Sequence, residues 1–197
     1  MTYPIGNNAE RLVKSETRVR CLGEVFTPSA TVQEMLDLLP AEMWAIHPSP
    51  TFLEPACGDG NFLVAILARK LARISLDYTN GDLAAGNTLE AAQFHALEAL
   101  ASIYGVDISI DNIVGGTPGH EIGARTRMLS IFIDWHSDLT ASRLNECSPV
   151  LLAAKWILKH NLRWPTFPDS RIHEKIDMKE TRRLWQRDTH LSIAMRL

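Results

Sequence analysis

Two patterns of apolar positions alternate along the chain, one of helical period and one of short unbroken runs. Val32, Met35, Leu36 and Leu39 recur at i, i+3, i+4 and i+7, the spacing that lines one side of a helix. Thr31-Val-Gln-Glu34 ahead of them has the spacing of a capping box, and Pro40 supplies a stop. Phe62 to Arg73 predicts a helix apolar on most sides, and Leu89 to Ala101 predicts another. A further helix is expected from about Glu121 to His136, with Met128, Leu129, Phe132 and Ile133 on one face, and a last one near Pro149 to His160. Thr51–Glu54 reads as a short buried strand, Ser102–Asp107 as a second short strand, and Asn161–Trp164 as another short segment. Asn80-Gly81-Asp82 and Gly86-Asn87 mark a surface loop within residues 77–88, and a second loop spans Gly115 to Gly119.

Short strands alternating with long helices predict an α/β fold with a short, mostly parallel sheet covered by helices. Three regions follow: a polar arm over 1–22, a domain over 23–164, and a charged, helical extension over 165–197. Ligands of such sheets sit at the carboxyl ends of the strands. The informative residues are therefore those that follow each strand.

Composition narrows the classes. No apolar run approaches the roughly 20 residues of a membrane helix, and the N-terminus has no secretion-signal pattern. The three cysteines are odd in number and far apart, which argues against a disulfide framework or a zinc site and for the reducing cytoplasm. The seven histidines show no metal-ligand spacing, so no metal is expected. A formal net charge of −3 excludes a globally basic nucleic-acid binder and leaves a local basic face open. In the tail, Arg171, Lys175, Lys179, Arg182, Arg183 and Arg187 include i, i+4 spacings. A solvated helix face is favoured there over a phosphate-binding stripe.

The sharpest chemistry lies in Phe52-Leu-Glu-Pro-Ala-Cys-Gly-Asp-Gly-Asn-Phe62. Gly58 and Gly60 occupy the strand-to-helix turn, where a missing Cβ lets backbone approach a ligand. Glu54 puts an acid at the strand's end. Asp107 closes the second strand, where a carboxylate can accept both hydroxyls of a ribose or cap the helix that starts at Ser109. Gly58 and Asp107 stand much further apart than the roughly 20 residues usual in dinucleotide sites; the intervening loop and extra helix account for the excess.

Glu54-Pro-Ala-Cys-Gly-Asp-Gly-Asn-Phe62, Gly23-Glu-Val-Phe-Thr-Pro28 and Ile103-Tyr-Gly-Val-Asp107 together resemble the N6-adenine DNA methyltransferases of restriction-modification systems. The similarity covers about residues 16–164, in the order of the subgroup whose cofactor motifs come first. It implies a partial Rossmann-like class I methyltransferase fold that binds S-adenosyl-L-methionine. Phe26 and Thr27 would contact the methionine end. Glu54 and the backbone of Ala56, Cys57 and Gly58 would hold its amino group, with Gly60 in the same turn. Asp107 would hold the ribose, and Ile108 would lie against the adenine.

The departures are as informative. The family's Asn-Pro-Pro-Tyr or Asp-Pro-Pro-Tyr, which grips the flipped target base, does not occur. Cys147-Ser-Pro-Val150 is the nearest string, without the second proline or the aromatic. After Ile157–Trp164, which resembles the family's third-strand approach, the expected Gly-Asp is Pro165-Thr166. The remaining strands and the target-recognition region are expected to be absent, and no catalytic residue is assigned. The expected function is cofactor binding without independent DNA methylation, in a degenerate or split enzyme. A protein partner or a second copy would complete the fold, with DNA contact through the assembly. The competing expectation is a non-enzymatic interaction or inhibitor protein that reuses this scaffold against a nucleic-acid-acting complex.

Overall fold

A computed structural model describes residues 12–83, 86–116 and 122–165. These fall in the compact unit that ends at Pro165. The expected C-terminal extension beyond Pro165, with its basic positions, lies outside the described residues, as do the start of the arm and residues 117–119 of the Gly115–Gly119 loop.

The described chain is mixed α/β. Its sheet has three parallel strands, β1 (Phe52–Glu54), β2 (Ile103–Val106) and β3 (Leu162–Arg163), in the order β1-β2-β3. Seven α-helices accompany it among the described residues: α1 (Glu16–Leu22), α2 (Ser29–Asp37), α3 (Asn61–Asn80), α4 (Leu89–Ala101), α5 (Ile110–Val114), α6 (Ala124–Thr140) and α7 (Pro149–Asn161). None of these is long and apolar enough to cross a membrane.

Local chemistry explains most boundaries. Thr88 caps α4 by accepting from the Ala91 N–H, and Pro149 opens α7, where its missing N–H costs nothing. The helix read as ending at Arg73 runs on to Asn80, because Gly81 in the left-handed region turns its N–H back onto Asp77 and Tyr78. The capping box at Thr31 does not form. The helix α2 starts earlier, at Ser29, with Pro28 as its cap and no side-chain cap bond, since proline pre-sets the backbone for helix entry. Part of the expected arm is also folded: α1 carries a Ser15 cap at its start and Gly23 at its end.

The helix α3 touches α4 and α6, and α7 touches both of these. Their facing sides form the core: Leu63, Leu67, Leu71 and Ile74 from α3, Ala92, Ala96 and Leu100 from α4, Met128, Phe132 and Trp135 from α6, and Ala154 and Leu158 from α7. The alanines of α4 let neighbouring backbones come close, and such close packing is what the interior requires. Asn161 joins the layers, since its Nδ2 donates to the carbonyls of Ala101 at 3.1 Å and Ile103 at 2.9 Å.

One face of the sheet enters this core through Ile103, Gly105 and Leu162. A Cβ on Gly105 would stand 2.7 Å from Leu63 and 3.0 Å from the Cys57 sulfur, so only glycine lets α3 lie this close. On the opposite face Leu53 is 39% exposed and Tyr104 and Val106 are only half-buried.

At the amino ends of the strands, Lys70 is buried with its three protons donated to Ser49 Oγ at 2.7 Å, Pro50 O at 2.6 Å and Ser102 Oγ at 2.8 Å. All three acceptors are uncharged, so burial pushes the ammonium down to about 8. Below that pH the lysine is charged in both folded and unfolded chains, and the cost of burying it is fully present. Between about 8 and 10.5 the folded chain gives up the proton while the unfolded chain keeps it, so this residue adds stability as pH rises. Urea unfolding of the wild type and Lys70→Met at about pH 7.5 and about pH 10 should show the wild type gaining roughly 1–2 kcal/mol on the variant. A pH-independent difference would show that the ammonium is effectively solvated.

Candidate functional site

The tips of β1 and β2 are fastened side by side. Past the last strand residues, the Cys57 N–H donates to Val106 O at 2.9 Å, and the Asp107 N–H to Arg163 O at 3.1 Å. The chain then bends sharply at Gly58, whose φ of +53° lies in the left-handed region. A Cβ there would meet the Phe26 ring at 3.0 Å. Glycine is thus needed twice over, for its backbone angle and for the aromatic wall beside it.

Asp107 holds this bend. Its Oδ2 accepts the Gly58 N–H at 2.9 Å, and its Oδ1 accepts the Ser109 N–H at 2.8 Å and the Asn112 amide at 2.9 Å. The carboxylate therefore secures the glycine turn and the entry to α5 together. Among the described residues three of its four lone-pair directions are filled, and one on Oδ2 is not. That leaves an acceptor for one hydroxyl rather than the two expected. Glu54 is different. Its Oε1 accepts from the Ala56 N–H at 3.2 Å, and its Oε2 has no partner among the described residues.

The segment from Gly23 to Pro28 closes the other side. Its position depends on the stretch before it, since the Phe26 N–H donates to Leu12 O at 2.8 Å and the Lys14 ammonium stands 5.8 Å from the Phe26 ring centroid. Lys14 is buried and bonds Asp111, at 2.8 Å, and Asn112. Arg18 bridges Glu24, with Nε to Oε1 at 2.8 Å, and Asp111, at 3.0 Å. Burial works to raise the carboxyls of Glu24 and Asp111, but the bonds from Arg18 and Lys14 outweigh it and hold both below the usual range. The Thr27 carbonyl accepts the Asn61 amide at 2.8 Å, which ties the segment to the start of α3.

A cleft of about 330 Å³ lies between these walls, near the lower end of the ~300–1,000 Å³ common for small-molecule sites. Phe26, Thr27, Glu54, Ala56, Cys57, Gly58, Asp107 and Ile108 all line it, together with Glu24, Asp59, Asn61 and Asn112. Gly60 does not. Its φ is +95°, and a Cβ on it would come 2.9 Å from that of Ala124, so this glycine admits the start of α6 rather than a ligand. Cys57 lines the cleft as a thiol; burial, reinforced by the charges of Asp107 and Glu54, pushes its ionisation far above the usual range. It is no nucleophile at neutral pH.

The lining charges share one sign. Glu24, Glu54, Asp59 and Asp107 face the cleft, and among the described residues no lysine or arginine lines it. Arg18 neutralises Glu24 from behind, and Arg127 pairs with Asp59 at 2.8 Å. Among the described residues no cation pairs with Glu54.

No family model, curated protein or solved structure matches this chain.

Sequence reasoning missed the Lys14–Arg18–Asp111–Asn112 tether, whose partners are separated by more than ninety residues. The mixed charges of the arm were its only signal. It also missed a group at the other end of the sheet, His47, His95 and Glu98, whose ligand atoms all lie within 4.8 Å of one another. The His-x-x-Glu spacing at 95–98, which stacks two side chains on one helix face, was the available sign.

Proposed function

We propose that the cleft binds S-adenosyl-L-methionine on a partial Rossmann-like methyltransferase scaffold, and that residues 12–165 do not methylate DNA by themselves. One observation carries this reading: a glycine bend and two strand-end carboxylates enclose a cleft without a cationic side chain among its described lining. Such a lining opposes the phosphates of a dinucleotide or nucleotide and favours a ligand with cationic groups. S-adenosyl-L-methionine has an ammonium and a sulfonium against one carboxylate, so its net charge is positive. When bound in an enzyme of this kind it supplies an electrophilic methyl group.

The residues fit that ligand unevenly. Glu54 Oε2 would accept from the ammonium, and the remaining lone pair of Asp107 would accept from one ribose hydroxyl. Phe26 supplies a buried aromatic wall. Ile108, 59% exposed at the rim, offers an apolar surface to an adenine ring. No described residue positions an acceptor amine, and positioning is a large share of what such catalysis requires. The Asn-Pro-Pro-Tyr string does not occur in the 197 residues.

Calorimetry with S-adenosyl-L-methionine and S-adenosylhomocysteine should give saturable, stoichiometric heat, and a dinucleotide should give none. Absence of heat at high micromolar ligand would overturn the reading. Labelled methyl should reach DNA only when a second chain bearing Asn-Pro-Pro-Tyr is added; transfer by this chain alone would refute its dependence on a partner. The half-covered face at Leu53, Tyr104 and Val106 favours that partner, since parallel sheets are normally covered on both faces.

A further inference from the structure

We propose that His47, His95 and Glu98 form a binding site for a divalent first-row ion of the zinc type, separate from the cleft. His95 and Glu98 stand one turn apart on α4. His47 arrives from the connector that follows the short 3-10 helix Ala41–Trp44 and precedes β1. The site therefore lies at the amino end of the sheet, opposite the cleft.

Three observations support a metal. First, the donors converge on one oxygen: Glu98 Oε2 is 2.9 Å from His95 Nδ1 and 3.3 Å from His47 Nδ1. Ligand atoms around a tetrahedral zinc stand roughly 3.3–3.6 Å apart, from bonds of 2.0–2.2 Å. Those two edges need only small outward shifts, and the third must close from at most 4.8 Å. Second, the charge is unbalanced. Glu98 pairs only with these imidazoles among the described residues, so when both rings are neutral its negative charge is uncompensated, which attracts a cation. Third, access is asymmetric. His95 is buried, the Glu98 side chain is 26% exposed and that of His47 is 56% exposed. The chain thus supplies a fixed base of two ligands and a movable third, with the remaining position open to water.

Two nitrogens and one carboxylate oxygen suit zinc and its neighbours rather than magnesium or calcium, which prefer oxygen. On binding, each neutral ring would bond the metal through Nδ1 and carry its proton on Nε2. Nothing is oxidised; waters of the hydrated ion leave as the three donors replace them. The ion would clamp the connector at His47 onto α4, close to the Ser49 that holds Lys70.

The test uses the full-length chain with Cys21→Ser and Cys147→Ser, because both thiols are exposed and would compete for zinc. Titration should give one tight equivalent of zinc and a raised unfolding midpoint, with no effect from magnesium. His47→Ala and Glu98→Gln should each weaken that equivalent by about 100-fold or more, since even outer partners of a metal site are worth 10–100-fold. His47 is the safer variant because its side chain is exposed. Zinc affinity unchanged in both variants, or no tight equivalent in the parent, would refute the site.

Discussion

Alanine in place of Asp107 should cost the fold about 3–5 kcal/mol, a large part of the 5–15 kcal/mol typical of a domain. Three donors lose their acceptor together: the Gly58 and Ser109 N–H groups and the Asn112 amide. Each hydrogen bond to a charged group contributes about 1.5–3 kcal/mol, and an unsatisfied buried donor costs about 1–3. The sum is reduced because the cleft admits water to part of the gap. Asp107→Asn should cost less, about 2–3 kcal/mol, since its amide oxygen still serves Ser109 and Asn112 while its NH2 confronts the Gly58 donor. Urea unfolding of the three proteins checks the order wild type, Asn, Ala. An alanine variant as stable as the wild type would mean that the carboxylate does not hold the glycine bend. Loss of ligand by Asp107→Ala is therefore weak evidence for a ribose contact, because the cleft itself is expected to open.

The double duty of Asp107 also marks how far the sequence could be read. A strand-end acid next to a glycine turn is visible in Ile103-Tyr-Gly-Val-Asp107, because parallel-sheet topology places strand tips together. The longer helices α3, α4, α6 and α7 were legible for similarly local reasons. Thr88 and Pro149 start α4 and α7 through contacts within one turn, and the apolar period of each helix fixes its buried side. What the carboxylate does with its lone pairs was not legible, since that depends on Asn112 and Gly58 meeting across two loops.

The same division separates Gly58 from Gly60. In the sequence the two glycines look alike, both in the turn ahead of α3. What distinguishes them is the atom each missing Cβ would strike, the Phe26 ring in one case and Ala124 in the other. Nothing near either glycine encodes that difference. The tether of Lys14 and Arg18 to Asp111 was hidden for the same reason, and so was the meeting of His47 with His95. Charged and imidazole side chains carry little periodic signal, and their partners were chosen by the fold.

Glu54→Gln gives the sharper test of the cleft, because this carboxylate does little for the scaffold. Its one bond among the described residues, from the Ala56 N–H, is 3.2 Å long, and a glutamine oxygen can replace it. Unfolding free energy should therefore stay within about 0.5 kcal/mol of the wild type. Ligand affinity should not. Removing one member of a buried charge pair costs about 2–5 kcal/mol, and for a half-buried glutamate the lower end applies, about 30-fold in Kd. Calorimetry with S-adenosyl-L-methionine on folded Glu54→Gln, beside the wild type, measures this directly. If the wild type binds and the variant binds equally well, the ammonium is not held at the tip of β1. If affinity falls while stability holds, the charge of Glu54 is accounted for by what it binds rather than by what it supports.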